Sequence, residues 1–274
     1  MAGRCSQTEV VAGAGGYPLR VRVWRPPSPV ARVVMLHGLI SHSGWLAPIA
    51  ERLVDAGIAT ICPDRRGSGA NLPLGDAPSA AALLDDLDGI LDCFGSQGSE
   101  LHLAGFCWGS VYAINYLALR GRSVKALALL APSIVPAEAV RAVPAITGSS
   151  GEATEDPTIP PEAFTRGPAY EEMILPDPLR LRKLSPRFNG ILAEFSFMLA
   201  AKLSRLTVPT MMVLAEADRV VDNAATARLF GRMGACRKEL YTVRGEHGVQ
   251  FDAPDEVATI LRHWVTSTPR GGSS

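Results

Sequence analysis

The chain alternates between segments whose apolar residues recur with strand spacing and segments where they recur with helix spacing. Residues 19–24 (LRVRVW) place apolar and polar side chains on opposite faces, the pattern of a strand with one wet face. Residues 32–38 (RVVMLHG) form a nearly continuous apolar run ending in glycine, as a strand buried on both faces would. Residues 45–57 have helical spacing and a terminal Gly57, and 59–64 (ATICPD) read as another short strand. Over 81–94, Leu84, Leu87 and Leu91 share one helical face and Asp85, Asp88 and Asp92 another. A strand at 101–107 runs through a glycine-flanked turn into a helix reaching Arg120. Buried strands follow at 124–132 and 208–218, a helix at 224–233, a strand at 237–243, and a Pro-initiated helix at 254–265.

This β-α-β-α rhythm predicts an α/β fold with a mostly parallel sheet covered by helices on both faces. Residues 134–205 interrupt it. They carry many prolines, then an apolar helix-like stretch at 190–203, and no clear strand. The expected organisation is a core from 1–133 and 206–267, a lid inserted at 134–205, and a frayed Pro/Gly/Ser-rich tail at 268–274.

The length, 274 residues, suits one large domain able to bury a core without disulfides or a structural metal. Charges balance, 27 basic against 27 acidic, and 47% of residues are hydrophobic. That excludes a disordered chain and gives no reason to expect nucleic acid or an anionic membrane as partner. Five scattered cysteines with no CxxC and no zinc spacing read as free thiols in a reducing compartment. The N-terminal residues lack a signal-peptide apolar region, and no apolar run is long enough to span a bilayer. These features lead to the expectation of a cytoplasmic protein, monomer or homodimer, without metal or organic cofactor and without membrane insertion.

The sharpest chemical signal is Gly105-Phe106-Cys107-Trp108-Gly109 at a strand-to-helix turn. Such a turn is too tight for a Cβ two residues before or after its apex, so both positions call for glycine. It would present Cys107 at the carboxyl end of the sheet, near a helix N-terminus whose dipole favours the thiolate. Asp218 follows the strand at 208–215 and His247 the strand at 237–243, giving the order nucleophile, acid, histidine. His247 could take the Cys107 proton while Asp218 fixes its tautomer. Asp222, Glu216 and, more weakly, Glu246 compete for the acid role. Backbone N–H groups of Leu39, after His37-Gly38, and of Trp108 would form an oxyanion hole. His37 and His42 read as structural. Trp108, Phe195 and Met198 are candidate substrate contacts.

With these residues in view, the chain resembles the α/β-hydrolase superfamily, in particular its monoacylglycerol lipase-like branch (serine aminopeptidase S33, or lysophospholipase-type). The likeness lies in residues 36–71 (from LHGLISHSGW to PDRRGSGAN), 105–110 (GFCWGS), 214–222 (LAEADRVVD) and 246–252 (EHGVQFD); 176–188 is similar to that branch's cap. It places Cys107, Asp218 and His247 on the triad positions, Leu39 and Trp108 on the oxyanion positions, and Asp64-Arg65-Arg66-Gly67 on a structural turn. Most of the branch carries serine where this chain has Cys107. Thiolate is a good nucleophile beside histidine, and the thioester it forms is open to water, amines and other acceptors. The expected activity is therefore acyl transfer through acyl-Cys107, to water or to another acceptor, from a small-molecule acyl substrate, free or carrier-protein-bound. A lid bearing Arg180, Arg182, Lys183 and Arg187 would suit an acidic or carrier-linked portion. The alternatives are a lyase or cyclase using the same pocket, and a binding protein on a former enzyme scaffold.

Overall fold

A computed structural model of the chain describes residues 5–95, 101–141, 154–155, 163–165 and 167–267. The expected tail at 268–274 and a large part of 142–162 lie outside the described residues.

Eight strands build one sheet: β1 (Gln7–Ala12), β2 (Pro18–Trp24), β3 (Ala31–Leu36), β4 (Ile58–Pro63), β5 (Leu101–Phe106), β6 (Leu127–Leu130), β7 (Thr210–Ala215) and β8 (Lys238–Val243). Their spatial order is β1-β2-β4-β3-β5-β6-β7-β8. All neighbours from β4 to β8 are parallel, while β1 pairs antiparallel with β2 and β2 with β4. Strand β1 is absent from the sequence expectations. Its side chains are mostly exposed, and its partner β2 gives it a place that its own composition does not signal.

The strands alternate as a sheet covered on both sides must. Val34 and Leu36 of β3 face one apolar cluster, with Leu103, Met212 and Leu214. Val33 and Met35 face another, with Ala104, Phe106, Met211 and Val213. Helices α2 (Ala80–Gly95) and α3 (Trp108–Arg120) fill the first layer through Leu83, Leu87 and Ile114. Helix α1 (Ala47–Asp55) and the last helix, residues 254–267, fill the second through Ile49, Leu53, Leu261 and Trp264. On α2, Leu84, Leu87 and Leu91 are buried as the helical spacing predicts. Its outward carboxylates find basic partners, Asp85 on Arg120 and Asp92 on Arg122.

Between β6 and β7, none of the described residues joins this sheet. They form short helices and a two-residue ribbon pairing Thr154–Glu155 with Lys183–Leu184. The apolar stretch expected as one helix at 190–203 is two, α4 (Pro186–Ser196) and α5 (Leu199–Arg205). The break falls at Met198, which adopts φ +52°, a left-handed conformation that no continuing helix accommodates. Asn115 of α3 holds both sides of the break: its Nδ2 donates to the Phe195 carbonyl (2.9 Å) and its Oδ1 accepts from Lys202 (2.6 Å).

His102 is buried at the start of β5, and among the described residues neither ring nitrogen has a hydrogen-bonding partner. Desolvation pushes its pKa down to about 4. His37 is driven down to about 3, by burial first and by the Arg65 charge second. The unfolded chain therefore takes up these protons first as pH falls below the ordinary imidazole value of 6.5. Stability should fall by about 1.4 kcal/mol per pH unit for each ring between roughly pH 6 and pH 4. Urea titrations across that range should show the full slope in the wild type and a slope smaller by one proton in His102→Met.

Candidate active site

Four loops meet at the carboxyl edge of the parallel strands: those after β3, β5, β7 and β8. The first site element is the turn between β5 and α3. Cys107 takes φ +51°, ψ −120°, outside the regions where side-chain-bearing residues are comfortable. Neighbouring backbone holds it there. Its N–H donates to the Leu130 carbonyl (3.0 Å), and its carbonyl accepts from the N–H groups of Ser110 (3.0 Å) and Ser133 (3.2 Å). A Cβ on Gly105 would lie 2.5 Å from the Gly109 backbone, and one on Gly109 would lie 2.2 Å from the Leu36 carbonyl oxygen. Glycine at both positions is thus a steric requirement of the turn, as the pentapeptide suggested.

Past β7 the chain turns at Asp218. Its Oδ1 accepts from the N–H groups of Val220 (2.8 Å) and Val221 (2.9 Å), which leaves Oδ2 for the His247 Nδ1, 2.9 Å away. Both side chains are sealed from solvent. Nδ1 therefore carries the hydrogen, and Nε2 is the atom turned to other work. Nε2 is buried and, among the described residues, has no hydrogen-bond partner of good geometry. Burial by itself lowers the pKa of His247, but Asp218 and then the Cys107 sulfur raise it, and their attraction prevails: the pKa lies well above the ordinary imidazole value. The ring proton thus contributes stability that is present at low and neutral pH and disappears as pH rises through that raised value.

The loop bearing His247 is fixed by the segment 163–165. His247 and Gly248 donate their N–H groups to the carbonyls of Ala163 and Phe164, and the Phe164 ring meets the imidazole edge-on, centroids 5.7 Å apart. The competing acids are otherwise engaged. Asp222 caps the helix at 223–231 by accepting from the Ala225 N–H, Glu216 is exposed, and Glu246 lies 3.6 Å from Arg219.

After β3 the chain passes close under the cysteine. A Cβ on Gly38 would lie 3.2 Å from the Cys107 Cβ and 3.7 Å from its sulfur. Among the described residues, the N–H groups of Leu39 and Trp108 have no acceptor. Both residues line the same cavity as Cys107 and His247.

His37 and His42 hold structure. His37 Nδ1–H donates to the Gly38 carbonyl (2.7 Å), while its Nε2 accepts from the Arg65 N–H (3.0 Å). His42 Nδ1 accepts from the Gly44 N–H (3.1 Å), so its Nε2–H donates to Asp177 (2.9 Å), which also accepts from the Trp45 indole (2.7 Å). Together with the Leu181 N–H to Ile40 carbonyl bond (2.9 Å), these contacts tie the 177–181 segment to the loop after β3.

The cavity over Cys107 holds about 220 Å3 and is predominantly apolar. Ile134, Pro136, Phe164, Leu199 and Val220 supply much of the wall, and Gln250 adds a polar side chain to it. Sequence reading did not single out these residues. The segment contributing Ile134, Pro136 and Phe164 has no periodicity, and which of its side chains face the cysteine depends on how it folds back. Of the three candidate substrate contacts, Trp108 lies in the wall and Phe195 and Met198 do not. Phe195 is fully buried and stacked on Trp108 (centroids 5.6 Å, planes 14° apart), and Met198 is 55% exposed at the break between α4 and α5. Their neighbours Ser196 and Leu199 reach the cavity instead. Of the basic residues expected to greet an acidic portion, Lys183 is exposed, whereas the three arginines are turned inward or engaged. Arg180 is buried, Arg182 donates to the carbonyls of Leu175 and Asp177 (2.8 Å each), and Arg187 pairs with Asp76. Among the described residues, no cluster of His, Cys, Asp or Glu could hold a metal ion, and no helix is long and apolar enough to cross a membrane.

An eight-stranded, mostly parallel sheet with a Cys-His-Asp cluster at its carboxyl edge defines an α/β-hydrolase fold. Residues 27–253 match the family described as serine aminopeptidase S33, and the chain belongs to that family of hydrolases. It is 24% identical to a monoacylglycerol lipase of Mycolicibacterium smegmatis over 93% of this chain and 95% of that protein. A soluble variant of a Saccharomyces cerevisiae monoglyceride lipase, solved with a substrate analogue, superposes with a TM-score of 0.83 at 16% identity, covering 98% of this chain and 97% of that one. A Paleococcus ferrophilus monoacylglycerol lipase does so with a TM-score of 0.77 at 19% identity, covering 92% and 99%.

Two outcomes follow from the geometry. Gly109→Ala should destabilise the fold by about 3 kcal/mol, because the added carbon meets backbone that cannot step aside; a urea midpoint equal to wild type would contradict this. Asp218→Asn should move the His247 titration, followed by NMR, down towards the ordinary imidazole range, since the carboxylate is the strongest influence raising it.

Proposed function

We propose that the protein is an acyl-transfer hydrolase in which Cys107, His247 and Asp218 form the catalytic triad and the acyl group passes through a thioester on Cys107. The observation that carries this reading is the cysteine at the strained apex of the turn, sharing a cavity with an imidazole whose other nitrogen is held by a buried carboxylate. In the first half-reaction the Cys107 sulfur attacks the ester carbonyl, its proton residing on His247 Nε2. The carbonyl π pair moves to oxygen, which the N–H groups of Leu39 and Trp108 receive. Collapse of this intermediate expels the alcohol, which leaves with the His247 proton. In the second half-reaction His247 takes a proton from water as the water attacks the thioester, and the acid is released. Asp218 keeps the ring oriented and balances the imidazolium.

The substrate class suggested by the cavity is an ester with a small apolar acyl portion, since 220 Å3 is below the range of sites for drug-sized ligands. Relatives named monoacylglycerol and monoglyceride lipases support an ester between an acyl chain and a small alcohol. In this reading residues 134–205 act as the lid, because Ile134, Pro136, Phe164, Ser196 and Leu199 all contribute to the cavity wall. Sulfur at position 107 also favours transfer: a thioester is more open to amines than the oxygen ester a serine would form. The largely apolar wall leaves few groups to hold water in place.

Intact-protein mass spectrometry after mixing with p-nitrophenyl butyrate tests the proposal. The wild type should gain one butyryl group, Cys107→Ala none at that site, and His247→Ala should acylate more slowly by about 10³-fold or more. Wild-type protein that turns over the ester with Cys107 unmodified, and Cys107→Ala that retains the rate, would overturn it. Adding hydroxylamine or a primary amine then divides the product between acid and amide, which separates hydrolysis from transfer.

A further inference from the structure

Arg65, which neither the triad nor the cavity wall uses, is a buried cation placed behind the two oxyanion donors. It is 5% exposed, and among the described residues no carboxylate forms an ion pair with it. Its neighbour in sequence, Asp64, is committed elsewhere: Oδ1 accepts from the Ser43 N–H (2.7 Å) and Oδ2 from the Ala70 N–H (2.9 Å). The Asp64 charge still acts on the guanidinium from nearby, but a cation stripped of water with no carboxylate in direct contact is a costly thing to bury.

Its contacts converge on the oxyanion site. One Arg65 terminal nitrogen donates to the Leu39 carbonyl (3.0 Å) and to the Ser68 hydroxyl, and the other lies 3.5 Å from the Gly38 carbonyl oxygen. That Gly38 oxygen also accepts from His37 Nδ1, and His37 is itself held by the Arg65 backbone N–H. The peptide between Gly38 and Leu39 is planar and trans, so its N–H points opposite to its C=O. Holding the Gly38 carbonyl on the Arg65 side therefore aims the Leu39 N–H away from Arg65. Donors placed on the carbonyl also polarise that N–H. The second donor is touched as well: the guanidinium lies 4.9 Å from the centroid of the Trp108 ring and 5.2 Å from that of Phe188, fixing the residue whose N–H completes the pair.

We propose that Arg65 is a positioning residue for the oxyanion hole, locking the Leu39 and Trp108 N–H groups together from behind and setting a buried positive charge behind the donors that face the substrate oxygen. The inference rests on the acyl-Cys107 reading. It predicts a defect confined to states that carry an oxyanion.

Hexanal and 1-hexanol separate those states. The Cys107 sulfur adds to the aldehyde carbon with its proton on His247 Nε2, the π pair moves to oxygen, and nothing leaves, so the adduct retains the oxygen the hole would bind. The alcohol fills the same cavity without reacting. In Arg65→Met the affinity for hexanal should fall by about 10²-fold, with 1-hexanol binding within about threefold of wild type and ester kcat reduced about 10²-fold at little-changed KM. Arg65→Lys, which keeps the charge but not the fork, should lie between the two and carries the test if the methionine variant does not fold. Equal losses for aldehyde and alcohol, or no loss for either, would overturn the role of Arg65 while leaving the triad reading intact. A wild-type protein that forms no hemithioacetal with carbonyl-labelled hexanal by 13C NMR would overturn both.

Discussion

The constraint on which the site depends is the left-handed backbone at Cys107. A residue with a side chain at φ +51° is held there only if the surrounding structure over-determines it. Here the hold comes from the parallel sheet itself. Leu130, at the end of β6, and Ser133, just beyond it, bond both sides of Cys107, and Gly109 abuts the end of β3. Three strands thus meet at one turn. The same convergence brings the Gly38–Leu39 peptide under the sulfur. Nucleophile position and the line of the loop after β3 are consequently one structural fact.

Around that turn, buried polar groups are arranged so that each hydrogen bond settles the next. Val220 and Val221 N–H groups occupy one oxygen of Asp218 and leave the other to His247. The Arg65 N–H sets the tautomer of His37, which in turn holds the Gly38 carbonyl. The two histidines diverge because their neighbours differ. Asp218 and Cys107 draw a proton onto His247, whereas burial beside the Arg65 cation empties His37. One imidazole is poised to carry a charge and the other is kept neutral as a rigid spacer.

The segment between β6 and β7 has a different character. It closes the cavity from one side with Ile134, Pro136 and Phe164, and from another with Ser196 and Leu199. It is tied to the core at Asp177, Leu181 and Ser185 through the Trp45 and His42 rings, the Ile40 carbonyl and the Gly75 carbonyl. Arg180 is buried, Arg182 donates to the Asp177 carbonyl and Arg187 pairs with Asp76, so the mouth of the cavity is not a cationic surface of these three residues.

The sequence by itself determined the sheet's buried strands, the helices that cover them and the three residues at its carboxyl edge. Continuous apolar runs, helical periodicity and paired glycines are local signals of local physics, and the glycines at 105 and 109 mark position 107 as the apex of a turn with no room for a Cβ on either side. It did not reveal β1, whose exposed strand gains its place from β2, nor the division of 190–203 into two helices at Met198. Tertiary structure alone decided which lid side chains reach the cysteine, turning Phe195 into the core and Met198 to solvent while Leu199 lines the cavity. It also decided the place of Arg65, because a cation's partners come from wherever the chain returns. Neither a break in a helix nor the surroundings of a buried charge leaves a periodic trace in the residues that make it.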